Sequence, residues 1–527
     1  MESTPQQASL THLSLALIHA FSQKSIESDE EKITVNRLVS EIASWYEKLR
    51  NSMELSDDSV ILRNAIERIL KRRLLLGGTG EKIAEPLLRE LIWARYFPDN
   101  SLPERLINEV AGTIDIFLDL KHKTLEKHHI SEIMVNDWIL NLLSSQISLT
   151  LVPNKERQAM NNFMYHILSQ GVEIEDDTEE TKNVQVFLAV RRSFAKDDRA
   201  FLRYYLFLQL FPEFDRSHVG EVAAAFPKAI AEITRQLEYP LKEKILIRVK
   251  RLTPIFTILF DVLEKYHGKI TPLLSQPDSF AKAVFEACDV RYTEIKARVQ
   301  RTIVRSIIFL ILTKVAFAFA IEGTYDVYMY GSIQMKELII NIIAPPLLMI
   351  IASFFIKTPG TENSRKILQK ITQVLFEEKP RLLPVLRIRL KRQSKNPLMT
   401  TIFAVLWLAT FGLSFGLILW GLDKLNFNPV SQIVFIFFIT IVSFLAYRIM
   451  IIARSYTIEV TQGVLTPIVD LLFIPVVKIG MRLTDGISQI NPFVLLFDFL
   501  IEAPFKTIFG FFEQLFSYLH TKREELE

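Results

Sequence analysis

Four apolar runs crowd the back half of this chain: Ile303 to Ile321, Leu338 to Ile356, Thr401 to Gly421 and Ile433 to Ile452. Each has roughly twenty residues, and a helix rising about 1.5 Å per residue then covers the ~30 Å of hydrocarbon in a bilayer. The spacing predicts four transmembrane helices paired as two hairpins. The first run is the weakest, because Lys314 stands near its middle at a cost of roughly 2.5–3.5 kcal/mol. Ten Ile, Leu, Val and Phe residues lie between Ile307 and Ile321, each favourable by about 0.3–0.6 kcal/mol, and they tip the balance toward insertion. Lys314 is therefore expected to face protein, held in a helix contact or reaching toward an interface, since no second charge lies clearly inside the spans; pairing with Glu322 two turns on, or with an acid on another helix, is the functional alternative. In the second run Pro345 and Pro346 remove two backbone donors and predict a kink.

The loops set the expected orientation. Between the second and third runs, residues 357 to 398 hold eleven Lys or Arg against three Glu, while the loops after the first and third runs have one Lys each. The positive-inside rule then puts the basic loop, residues 1 to 302 and the C-terminal tail on the cytoplasmic side of a bacterial-type plasma membrane. The start of the chain has neither a positive n-region nor a small-residue cleavage site, so export by a cleaved signal is not expected.

Charge divides the chain in two. Up to residue 300 there are 39 basic and 43 acidic residues; beyond it there are 23 and 16. The front reads as consecutive amphipathic helices, for example VILRNAIERILKRRLLL and EKIAEPLLRELIWARYF, with apolar residues at three and four spacing. Only 17 glycines and few strand signals speak against a β architecture, and the single Cys288 excludes an intrachain disulfide framework. The acidic stretch Glu173 to Thr181 is the expected surface loop and the boundary between two helical subdomains.

After the last run the chain stays apolar. From Pro492 to Leu519 the charges Asp498, Glu502, Lys506 and Glu513 fall at about 0°, 40°, 80° and 60° around a helix, one narrow stripe on an otherwise apolar cylinder. Helices of this kind lie in the headgroup plane or beside the spans. The expected fold is all-α: helical cytoplasmic subdomains at 1–175 and 176–302, a membrane hairpin at 303–356, a basic loop at 357–400, a second hairpin at 401–454 and an amphipathic interfacial tail at 455–527.

Few motifs carry chemistry. GGTGEK at Gly77 to Lys82 lacks the spacing of a phosphate loop and follows a helix where a strand is needed, so it reads as a helix cap and turn. Two Glu-x-x-His pairs, Glu126 with His129 and Glu264 with His267, match a di-metal bundle in form only. HExxH, CxxC and GxSxG are all missing from the sequence, which removes the minimum parts of the usual hydrolase and zinc sites. The run Arg203 to Phe207 reads as core, not as a base-stacking surface.

The residues singled out as lipid contacts or as a polar path are Lys314, Pro345, Pro346, Arg387, Arg389, Lys391, Arg392, Asp498, Glu502 and Lys506. The leading expectation is a non-enzymatic, membrane-anchored scaffold. It rests on a large helical front part with no catalytic constellation, joined to a small membrane part with few polar groups inside. The alternatives are a channel or transporter subunit, in which Lys314 and the Pro345–Pro346 break line a path, and a metal-dependent oxidoreductase. No cofactor is expected. The expected partners are anionic lipid headgroups at the basic loop, another protein on the cytoplasmic part and, as an alternative, a second copy of the chain; nucleic acid is not expected.

Overall fold

The computed structural model describes residues 10–22, 31–34, 58–75, 77–333, 335–390, 397–425, 427–458 and 474–482. Among these the chain is all-α apart from two three-residue strands, Val172–Ile174 and Leu386–Ile388, and one isolated bridge between Lys32 and Pro103. It divides into two compact units: residues 1–291 with 360–393 and 456–459, and residues 292–359 with 394–455 and 460–527.

In the first unit the helix Arg105–Lys127 is packed on three sides, by Gly80–Trp93, Glu132–Leu151 and Val219–Leu237. Its buried residues Leu106, Val110, Thr113, Ile114, Phe117, Leu120 and Thr124 recur at three and four, the single stripe that a half-buried helix needs. Glu132–Leu151 is buried nearly all round and carries polar groups inward, of which Asn141, Ser144 and Ser145 are hydrogen-bonded nearby. Ser145 Oγ donates to the Asn141 carbonyl (2.7 Å), and Arg203 donates to Asn141 Oδ1 (2.9 Å). Side-chain caps start several of the helices: Asn154 accepts from the Arg157 amide (2.9 Å), and Asp198 from that of Phe201 (3.0 Å). The aromatic run does belong to the core. Phe207 is fully buried, and its ring meets those of Phe117, Phe211, Phe214 and Phe226.

GGTGEK is a turn, as its spacing predicts. Gly77 and Gly78 have φ of 76° and 142°, which side chains resist, and Thr79 is the extended residue before the helix Gly80–Trp93. Gly80 serves packing. A Cβ there would lie 2.0 Å from the carbonyl oxygen of Ala111 on the neighbouring helix, and the Gly80 amide donates to Asp115 Oδ1 at 2.7 Å. Because backbone faces backbone, no side-chain rotation relieves the clash. Gly80→Ala is expected to cost about 1–3 kcal/mol, read as a lowered midpoint in thermal unfolding of the full chain.

The two strands pair in parallel, Glu173 opposite Arg387, although they lie far apart in sequence. Arg387 donates to Glu173 (2.9 Å), Arg389 pairs with Glu175, and the Leu390 amide donates to Asp176 Oδ1 (2.5 Å). The acidic stretch and the basic loop thus meet each other within the first unit. The helix Thr361–Phe376 from that loop packs on Lys242–Lys265, and its Leu375 carbonyl accepts from Ser14 Oγ at 2.9 Å.

The second unit holds three helices long and apolar enough to cross a membrane: Pro277–Tyr330, whose first part belongs to the first unit, Thr401–Lys424 and Pro429–Ala453. Leu338–Phe354, within the helix Met335–Phe354, is a shorter apolar helix. Between 11% and 28% of each long apolar window is buried, so side chains such as Leu312, Phe403, Leu408 and Ile433 stand exposed over a continuous apolar surface that suits hydrocarbon. Met335–Phe354 packs along Pro429–Ala453, and the Phe317 ring stacks on Phe437 at 5.7 Å. The helical residues 474–482 also join this unit. A Cβ on Gly480 would fall 2.1 Å from the Thr440 carbonyl oxygen, the small-residue approach typical of helices in lipid. Lys391, Arg392, Asp498, Glu502 and Lys506, and with them the charged stripe of the tail, lie outside the described residues.

Candidate functional site

Lys314 is fully buried in the apolar part of the helix Pro277–Phe317. Its Nζ donates to Glu322 Oε1 at 2.6 Å and stands 4.9 Å from the centre of the Phe438 ring, an attraction worth about 2 kcal/mol when desolvated. Local backbone makes the ion pair feasible. In an unbroken α-helix residues eight apart stand about 80° from each other around the axis. The segment Ala318–Gly323 is instead a π turn, and its extra residue cuts that offset to about 20°.

Glu322, 1% exposed, is the hub. Its other oxygen accepts from Asn341 Nδ2 and, at 3.0 Å, from Ser431 Oγ. One turn further on, Asp326 is 2% exposed and accepts from Asn428 Nδ2 at 3.0 Å. Asn428 also caps Pro429–Ala453, its Oδ1 accepting from the Ser431 amide at 2.8 Å. Two carboxylates, one ammonium, two amides and a hydroxyl thus converge from three parts of the second unit. Elsewhere in the unit Thr410, Ser414 and Thr440 donate to carbonyls of their own helices.

Pro345 and Pro346 are buried within Met335–Phe354 and free the backbone carbonyls of Asn341 and Ile342, their i−4 residues. The proline pair therefore loosens the helix at the residue that supplies Asn341 to the cluster. Asn341 Oδ1 is buried without a hydrogen-bond partner among the described residues, which leaves the network one open acceptor.

The remaining predicted residues go elsewhere. Arg387 and Arg389 sit on the strand pair of the first unit, ion-paired yet still more than half exposed. Near the two Glu-x-x-His pairs, His267 Nδ1 donates to the Phe21 carbonyl at 2.7 Å, and no group of three or more His, Cys, Asp or Glu suited to a metal occurs among the described residues. Asp326, Asn341, Asn428 and Ser431 were not singled out from the sequence. The available signals were Asp326 one turn after Glu322, Asn341 four residues before a proline, and the Asn-Pro-x-Ser start of the last long helix. Comparison of the chain with family models, with curated proteins and with solved structures returns no match.

Proposed function

We propose that this is a multi-pass membrane protein of the transporter or channel-subunit class, in which Glu322 carries a proton and Lys314 is its counter-ion. The observation that carries the reading is the enclosure of Lys314, Glu322 and Asp326, each at most 2% exposed, in a unit whose outer surface suits lipid. Intramembrane charges are costly and mark ion paths and proton relays. The scaffold expectation assumed few polar groups inside the membrane part, whereas Glu322 pairs with Lys314 and Asp326 is buried one turn further on.

In this reading Leu338–Phe354 is the fourth span, and the basic loop and both termini are cytoplasmic. Glu322 and Asp326 then follow the first span, Asn341 opens the second, and Asn428 and Ser431 open the last. All five fall toward the face opposite the basic loop, so the order of the spans and the cluster support each other. Anionic headgroups beside Arg387 and Arg389 and a second copy of the chain are compatible partners.

The chemistry follows from the hub. A proton on Glu322 cancels the charge that holds Lys314 and leaves an ammonium unpaired in apolar surroundings, at a cost of about 3–5 kcal/mol. Water entry or a helix shift relieves that cost. The π turn and the carbonyls freed by the proline pair are where the backbone can yield. Full-length protein in liposomes carrying an internal pH dye provides the test. Wild type should dissipate an imposed pH gradient at least tenfold faster than Glu322→Gln, and equal rates would remove the proposal.

A further inference from the structure

The start of the helix Lys242–Lys265 carries two faces. Ile245, Leu246, Val249 and Leu252 are buried in the first unit, whereas Lys244, Ile247, Arg248 and Arg251 recur at three and four on another side. Lys244 and Arg251 are exposed, Arg248 is half-buried, and Ile247 stands 56% exposed among them. Elsewhere in this unit arginines meet acids: Arg89 pairs with Glu85, Arg203 with Asp137 and Arg235 with Glu232. Among the described residues Lys244, Arg248 and Arg251 have no such partner, and the adjacent Glu243 is taken by Arg192 at 3.0 Å. Burial, and then the Arg251 guanidinium beside it, hold Arg248 below its ordinary pKa. Positive charge is therefore crowded here without compensation.

Apolar side chains lie within the same patch. Arg248 donates to the carbonyl of Pro384, and the next residue, Val385, is 45% exposed. Small anions are held in concave sites, and a helix flank is convex. Cations around exposed aliphatic side chains suit instead the boundary of an anionic bilayer, where apolar atoms enter and ammonium and guanidinium groups meet phosphate. The run of the chain favours the same occupant. Pro277–Phe317 starts antiparallel to Lys242–Lys265, since Glu286 pairs with Lys265 (3.0 Å) and Arg291 with Asp261 (2.7 Å). That helix leaves the first unit in the direction of the Lys244 end, and its apolar run opens at Ile303.

We infer that the first unit docks on an anionic lipid surface through Lys244, Ile247, Arg248, Arg251 and Val385. Arg387 and Arg389 carry less of this contact, because Glu173 and Glu175 already hold them. The inference rests on the membrane placement proposed above and not on a proton at Glu322. Each of the three cations should favour anionic over neutral lipid by about fivefold, an attraction that salt screens.

Full-length Ile247→Cys labelled with an environment-sensitive dye tests this in liposomes of phosphatidylcholine alone or mixed with phosphatidylglycerol; the native Cys288 is buried. In the mixed liposomes the dye should shift to the blue and be quenched by brominated acyl chains, and raised salt should reverse both. Adding Lys244→Glu and Arg251→Glu, which alter exposed side chains only, should abolish the shift. Emission that is the same in both lipids, as an acidic protein partner would leave it, overturns the inference, and so does a charge-reversed variant that responds like its parent. The pH-gradient assay on the same liposomes keeps the two proposals apart. Docking with equal flux in wild type and Glu322→Gln removes only the transport reading, whereas Glu322-dependent flux without docking removes only this one.

Discussion

Lys314→Leu will destabilise the second unit by about 3–5 kcal/mol, while Lys314→Leu combined with Glu322→Leu will cost far less than the single change. The single substitution leaves the Glu322 carboxylate buried among apolar groups with only Asn341 and Ser431 as donors. Removing both charges leaves those two to satisfy each other, and Asn341 Nδ2 already stands 3.5 Å from the Ser431 carbonyl. Thermal unfolding in detergent, followed by circular dichroism, reads the difference. The same pair of variants separates structure from function. If Glu322 is a proton carrier, the double variant recovers stability without recovering flux. Recovery of both would make the ion pair a clamp and nothing more, and equal destabilisation by the single and double changes would show that the two groups do not interact.

In the first unit the largest effect is expected from Phe207→Ala. The ring is wholly buried and contacts four other aromatic side chains, with centroids at 5.0 Å from Phe214, 5.1 Å from Phe211, 6.1 Å from Phe226 and 6.5 Å from Phe117. Two other helices and the turn after Leu210 supply those neighbours, so no one of them can collapse into the gap, and truncations of this kind cost about 3–5 kcal/mol. The unfolding midpoint of the full chain should fall by on the order of 10 °C. A change within experimental scatter would mean that the aromatic cluster is not the packed centre of this unit.

How much of this was legible beforehand depended on whether the signal was periodic. The apolar stripe of Gly80–Trp93 and the apolar runs from Thr401 and Ile433 extend over several turns, and local sequence alone predicts them. The Gly77–Gly78 turn was legible because positive φ leaves few other residues to choose from. The parallel strand pair was not. Each strand has three residues, too few for alternation to register, and the partners are 214 residues apart in sequence. What the sequence did offer was an acidic stretch and a basic loop of opposite charge, each read as a surface feature on its own.

The cluster follows the same logic. Lys314 stood out because a charge within an apolar run breaks the pattern, and Glu322 was within reach of it. Asn341, Asn428 and Ser431 lie at the ends of apolar runs, where neutral polar residues are ordinary, and Asp326 sits in what reads as a connecting loop. Their meaning comes from convergence in space, through a π turn whose extra residue no propensity scale signals.

The central claim is that Glu322 changes its protonation state within a lipid-embedded helix bundle. Infrared difference spectroscopy of the full chain in liposomes, stepped between neutral and acidic pH, addresses it most directly. The account predicts a protonated-carboxyl band in the wild type that is lost in Glu322→Gln and kept in Lys478→Met, a substitution at a cation that sits over the Trp407 ring at 4.8 Å. Spectra of wild type and Glu322→Gln that coincide in the carboxyl region at every pH would contradict it.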